Sequence, residues 1–194
     1  MARKVIPEKV DAAKEKIISA TMDVIIEDGL FKLTLANVAR KAGITKAAIY
    51  WYFPGKDELI SAMAASIGET FIGGVKQLVA LPISPHKKIE VLFDELEKND
   101  VTKKCFLLTK LFIELNDKES LRILQAGYLE YIGLIQEIFE EAIAIREIKS
   151  TFSSEALAKI LVSMTNGCII HNKFLPGHCI DFEEVKLFLF SVIN

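Results

Sequence analysis

The segment from Thr34 to Leu59, TLANVARKAGITKAAIYWYFPGKDEL, constrains this chain more than any other. Leu35, Val38, Ala39 and Ala42 recur at helical spacing and form one apolar stripe. Thr34 precedes the stripe as an N-cap, and Gly43 follows it, where a left-handed residue closes a helix at little cost. Thr45 then caps a second helix that runs to Phe53, and Pro54-Gly55 breaks it. Two small amphipathic helices joined by a glycine-containing turn make a helix-turn-helix, and the second has the dimensions of a major-groove reader. Double-stranded DNA is the expected partner.

The net charge of −2 over 194 residues does not favour DNA by itself. Its distribution does. Residues 1–66 carry +2 and residues 67–194 carry −4. No acid falls between Gly29 and Lys56, where Lys32, Arg40, Lys41, Lys46 and Lys56 lie. A local basic patch is the electrostatic footprint that DNA needs. The acidic remainder is repelled by phosphate and helps orient the molecule.

Each residue of the second helix has a chemical use. Thr34 and Thr45 place hydroxyls and free amides at helix N-termini, which accept phosphate oxygens as readily as capping groups. Lys46 begins the end that points into the groove and can donate to guanine O6 or N7. Ala47 and Ala48 allow close approach and offer methyls to thymine. Tyr50 and Tyr52 can donate hydroxyls to phosphate, and Lys56 can grip the backbone as a point charge. A bland reading, a helical hairpin with a solvated face, accounts for Val38, Ala39, Ala42, Ile49 and Phe53 as core. It does not account for Tyr50, Trp51 and Tyr52 in series beside Lys46 and Lys56, because exposed aromatics on so short a helix need a partner surface.

The rest of the chain reads as helix. Residues 1–8 are a basic arm ending at Pro7, followed by a helix from about Lys9 to Asp28. Asp57 and Glu58 open a fourth helix with acids at the positive end of its dipole. Gly73-Gly74 is a point where that helix can bend. Leu81-Pro-Ile-Ser-Pro85 is the clearest later break. Helices are expected at about 86–98, 102–116, 118–145, 154–174 and 182–193, the last opened by a capping box of Asp181 with Glu184. No alternating strand run occurs. The fold class is all-α: an N-terminal three-helix helix-turn-helix domain, residues 1–56, and a C-terminal helical ligand-binding and dimerisation domain, residues 57–194.

An apolar content of 51% implies a large core. No apolar run reaches the roughly 18 uncharged residues of a membrane span, and no signal-peptide core opens the chain, so a cytoplasmic protein is expected. Cys105, Cys168 and Cys179 form no disulfide framework, which fits a reducing compartment. Cys168 with His171, followed by His178-Cys179, lacks the tighter zinc spacings, and neither metal nor cofactor is expected. No Ser-His-Asp order, clustered acid pair or phosphate loop points to an enzyme. The rival class is a small-molecule-binding or enzymatic helical protein.

The last two helices are apolar over more than one face and must be buried on more than one side. A homodimer satisfies this, with Leu157, Leu161, Met164, Gly167, Cys168, His171, Phe188 and Val192 as interface candidates. The middle region is rich in Phe and Leu. Phe71, Phe93 and Phe112, with the polar Thr109, Tyr128, Tyr131 and Asn166, are candidates to line a pocket for a small apolar or amphipathic effector.

The pattern Thr34-x3-Val38-Ala39-x2-Ala42-Gly43-Ile44-Thr45-Lys46-x2-Ile49-Tyr50-x-Tyr52-Phe53-x2-Lys56-x2-Leu59 resembles the N-terminal domain of the TetR family of bacterial transcriptional regulators. The resemblance covers about residues 10–60. It implies a homodimer whose last two helices form a four-helix bundle with the partner, an effector pocket in the C-terminal domain, and repression from a palindromic operator. It also implies that Thr34, Thr45, Tyr50 and Lys56 contact phosphates, while Lys46, Ala47, Ala48 and Tyr52 face bases or the groove wall. Ala48 stands where the family often has threonine or serine. One polar reader is thereby lost, and DNA shape contributes more. Effector release is expected to act through the fourth helix as a lever. An activator or a non-responsive DNA binder is the alternative within regulation.

Overall fold

A computed structural model of the chain describes residues 7–98 and 118–193. All regular structure among the described residues is helical. The α-helices are α1 (Pro7–Asp28), α2 (Leu35–Ala42), α3 (Lys46–Tyr52), α4 (Lys56–Val79), α5 (Pro85–Lys98), α6 (Lys118–Ala144), α7 (Ser154–Phe174) and α8 (Phe182–Ile193), and a 3-10 turn spans Leu30–Lys32. The helix expected at 102–116 lies outside the described residues, as does Cys105. α1 begins at Pro7, inside the stretch expected to be an arm. Proline suits the first turn of a helix, where its missing N–H has no intrahelical acceptor to lose.

The chain divides into two compact units. The first holds the described residues up to Ser66 together with residues 118–123; the second holds residues 67–98 and 124–193. The division expected at the start of α4 falls within that helix. Leu59, Ile60, Met63 and Ala64 on its first turns are buried, whereas the core of the second unit begins at Ile72.

In the first unit α1 turns Ile17, Ala20, Thr21, Val24 and Ile25 inward, and α2 packs on it through Val38, Ala39 and Ala42. The Thr21 hydroxyl donates to the Ile17 carbonyl at 2.8 Å, which satisfies that buried polar group. In the second unit Ile89, Leu92 and Phe93 of α5, Ile135, Ile138 and Phe139 of α6, Leu157 and Leu161 of α7, and Leu189 and Ile193 of α8 share one core. The Lys88 ammonium, nearly buried on α5, reaches Glu141 of α6 at 2.9 Å. The His86 ring stacks on Phe190 at 4.0 Å and ties α5 to α8. α4 runs unbroken through Gly73-Gly74, because neighbouring residues such as Ile72, Val75 and Leu78 are held in the core.

Candidate nucleic-acid interface and ligand cleft

The helix-turn-helix is closed by the groups expected of it. The Thr34 hydroxyl accepts the Asn37 N–H at 3.1 Å and caps α2. Gly43 takes φ 66°, ψ 34°, and its N–H reaches back to the Arg40 carbonyl at 3.2 Å. The Thr45 hydroxyl accepts the Ala48 N–H at 3.1 Å and caps α3. Each capping hydroxyl keeps its own hydrogen, so Thr34 and Thr45 can cap a helix and still donate to a phosphate oxygen.

α3 is anchored on one side only. Ile49 is fully buried and Phe53 nearly so, while Lys46, Ala47, Tyr50 and Trp51 are exposed and Ala48 and Tyr52 are half-buried. Tyr50 is 47% and Trp51 61% exposed, which is unusual for such large rings on a seven-residue helix. The Trp51 ring meets Tyr52 edge-on at 4.7 Å and holds it in place. Among the described residues no carboxylate lies within ion-pair distance of Lys46, which opens α3, or of Lys56, which opens α4. Of the expected DNA-facing residues, Thr45 to Tyr52 fall on α3 and its cap, Lys56 opens α4, and Thr34 caps α2. Trp51 joins them. Its place in series with Tyr50 and Tyr52 already marks it as an exposed ring in need of a partner surface.

Lys41 departs from the basic patch expected there. Its ammonium sits 2.6 Å from Glu27 of α1. The hydrogen bond to Glu27 comes first in holding its pKa above the ordinary lysine value, followed by the fields of Glu27, Asp23 and Asp28. Lys41 therefore braces α2 against α1, and its charge is already met. Lys16 of α1 brings a charge the other way: its ammonium lies 4.0 Å from the position a Cβ would take on Gly43. A contact between residues so far apart in sequence had no signal in the local pattern.

In the second unit a cleft of about 350 Å³ opens between α4 and α5, lined by Phe71, Val75, Leu78, Leu92 and Leu96 with Glu95 among others. Of the residues expected at an effector pocket, Phe71 lines this cleft, and Tyr131 packs against Phe71 at 4.9 Å between ring centroids. Phe93, Tyr128 and Asn166 are placed elsewhere. Phe93 is core, 2% exposed. The Tyr128 hydroxyl accepts the Asn166 amide at 2.7 Å, which links α6 to α7 outside the cleft lining. Thr109 and Phe112 lie outside the described residues.

The dimer candidates divide by exposure. Leu157, Leu161 and Cys168 are buried in the protomer's own core, and Met164 is half-buried against it. Gly167, Phe188 and Val192 are exposed, alongside Ile160, Ile170, Phe174 and Leu187. Helical periodicity identified the apolar helices but could not tell which of their apolar sides faces the core. The His171 Nε2 donates to the His178 carbonyl at 2.8 Å. The Asn172 side chain grips both backbone groups of Ile180, at 2.7 and 2.6 Å. Those side chains fasten the α7–α8 connection. Among the described residues, no three or more His, Cys, Asp or Glu side chains are grouped to hold a metal ion. None of the described helices is long and apolar enough to cross a membrane.

Residues 17–63 match the family model described as bacterial regulatory proteins, tetR family. The HTH-type transcriptional regulator SrpR of Pseudomonas putida is 42% identical over 66 residues, which is 34% of this chain and 30% of SrpR. The match thus spans less than a third of that relative's length. A TetR-family transcriptional regulator from Agrobacterium tumefaciens superposes with a TM-score of 0.79 at 17% identity, over 95% of this chain and all of the other. The regulator FadR of Bacillus subtilis, solved with stearoyl-CoA, superposes with a TM-score of 0.72 at 17% identity, over 91% of this chain and 95% of FadR.

Proposed function

This chain belongs to the tetR family of bacterial regulatory proteins, and from that premise we propose that it is a ligand-responsive repressor which grips a palindromic operator as a homodimer. The observation that carries the reading is α3: anchored by Ile49, capped at Thr45, and offering Lys46, Ala47, Tyr50 and Trp51 to solvent on one short helix. A helix of that width enters the major groove, with its N-terminal residues meeting base edges. Lys46, Ala47, Ala48 and Tyr52 read or line the groove. Thr34, Thr45, Tyr50 and Lys56 hold phosphates on either side.

One helix makes few base contacts, and a second copy doubles them at a fixed half-site spacing. The exposed apolar residues Ile160, Ile170 and Phe174 of α7 and Leu187, Phe188 and Val192 of α8 form the surface for that copy, with Gly167 allowing close approach. The effector occupies the cleft beside Phe71 and favours an arrangement of α4 in which the two recognition helices no longer match the operator. By linkage, operator DNA weakens effector binding by the same factor. That FadR was solved with an acyl-CoA supports a small-molecule site in this fold.

Selection of bound duplexes from a random pool tests the reading. An enriched palindrome is the expected result. A folded protein that enriches no sequence would overturn it.

A further inference from the structure

The Tyr131 hydroxyl is buried, with the residue 4% exposed, and has no hydrogen-bond partner among the described residues. A buried polar group left unpaired loses its hydration with nothing in return, so an orphaned hydroxyl in a well-packed core calls for an explanation. Phe71 links the Tyr131 ring to the cleft, since the Phe71 ring both lines that space and packs edge-on against the ring of Tyr131. The space of about 350 Å³ falls within the size of small-molecule sites. Its lining is mostly apolar, and Glu95 is its single ionised side chain among the described residues. A carboxylate ligand would meet that charge unfavourably.

We propose that the effector of this cleft is an uncharged molecule of about one aromatic ring that carries a hydrogen-bond acceptor, such as a ketone, ester or ether oxygen. When the Phe71 ring turns aside, that oxygen receives the Tyr131 hydroxyl, while the apolar body rests on Val75, Leu78, Leu92 and Leu96. The phenol is fitted to this use. Burial first, and the neighbouring Tyr128 second, raise its pKa well above the ordinary value. It therefore remains a neutral donor wherever the protein is folded. The inference rests on the reading of this cleft as the effector site.

Calorimetric titration of the full chain with three probes of nearly one shape tests it: acetophenone, isopropylbenzene and benzoate. Acetophenone should bind about tenfold or more tightly than isopropylbenzene, because it satisfies a donor that the hydrocarbon leaves orphaned. Benzoate should bind most weakly. Tyr131→Phe should erase the ketone preference, keep the hydrocarbon affinity, and leave the free protein no less stable in urea. Equal affinities in the wild type, a preference that survives Tyr131→Phe, tightest binding by benzoate, or no binding by any probe would each overturn the proposal. So would a Tyr131→Phe protein less stable than wild type, since its hydroxyl would then have a structural partner. Operator affinity, followed in parallel, separates the two readings. A ketone that binds with preference yet leaves operator affinity unchanged supports the Tyr131 site and removes its effector role. A hydrocarbon that releases operator as well as the ketone does keeps the effector site and removes this inference.

Discussion

Single residues of the α2–α3 turn carry separable roles. Gly43 sits at φ 66°, where a Cβ crowds the residue's own carbonyl oxygen, while its nearest neighbour, the Lys16 ammonium, stays at 4.0 Å, an ordinary van der Waals distance. Gly43→Ala should therefore cost about 1 kcal/mol in urea unfolding, through backbone strain alone. Lys46 and Lys56 are both cations without acidic partners among the described residues, yet they stand at different places. Lys46→Ala should cost about 1–3 kcal/mol on the selected operator and little on scrambled DNA if it meets a guanine edge. Lys56→Ala should weaken both alike and lower the salt slope of binding by about one. Equal losses on operator and scrambled duplex for Lys46→Ala would remove it as a reader. Most of this site could be read from the sequence because caps, turn and exposed helix face are all local. Lys41 was misplaced because its partner, Glu27, lies on another helix.

The helices also record where local preference yields to packing. The glycine pair at 73–74 reads as a flexible point, but α4 continues through it. A Cβ on Gly73 would meet nothing within 4 Å, so the glycine holds no close contact. Gly73→Ala should raise stability by about 0.5–1 kcal/mol, seen as a higher urea midpoint at constant slope. A lower midpoint would mean that α4 needs this glycine. The opposite case is the end of α6. Arg146 takes φ 59° with no glycine to signal it, and the Glu147 and Ile148 N–H groups return to the Ala142 carbonyl at 2.9 and 3.3 Å. The turn is held from outside: Ile148 is buried and the Lys149 N–H reaches the Ile193 carbonyl at 3.0 Å. The capping box at Asp181 needed no such support and was legible, with the Asp181 N–H donating to Glu184 at 3.3 Å.

At the scale of the whole molecule, α7 and α8 leave a set of large apolar residues exposed. Phe174 is 81% and Phe188 58% exposed, so neither contributes much to the core of its own protomer. Phe174→Glu with Phe188→Lys should leave the helical content unchanged, yield a monomer by analytical ultracentrifugation, and sharply weaken operator binding as two half-sites cease to be held together. A dimer that persists in this variant would place the interface on another surface. Leu161→Ala serves as the contrast. It should cost about 2–5 kcal/mol of stability, because Leu161 belongs to the protomer's own core.

What the sequence determined by itself was whatever depends on neighbours within a turn or two of helix. It determined the all-helical class, the capped helix-turn-helix with its glycine, the acid-free stretch around it and the exposed rings of α3. Caps, left-handed glycines and apolar stripes act over that range. Only the tertiary structure decided the pairings between distant segments. It set Lys41 against Glu27, sent Phe93, Leu157 and Leu161 inward, turned Phe174 and Phe188 outward, and left the Tyr131 hydroxyl without a partner behind Phe71. A helix that is apolar on two sides looks the same in sequence whichever side faces the core. Which side does so is settled only when other helices have filled one of them.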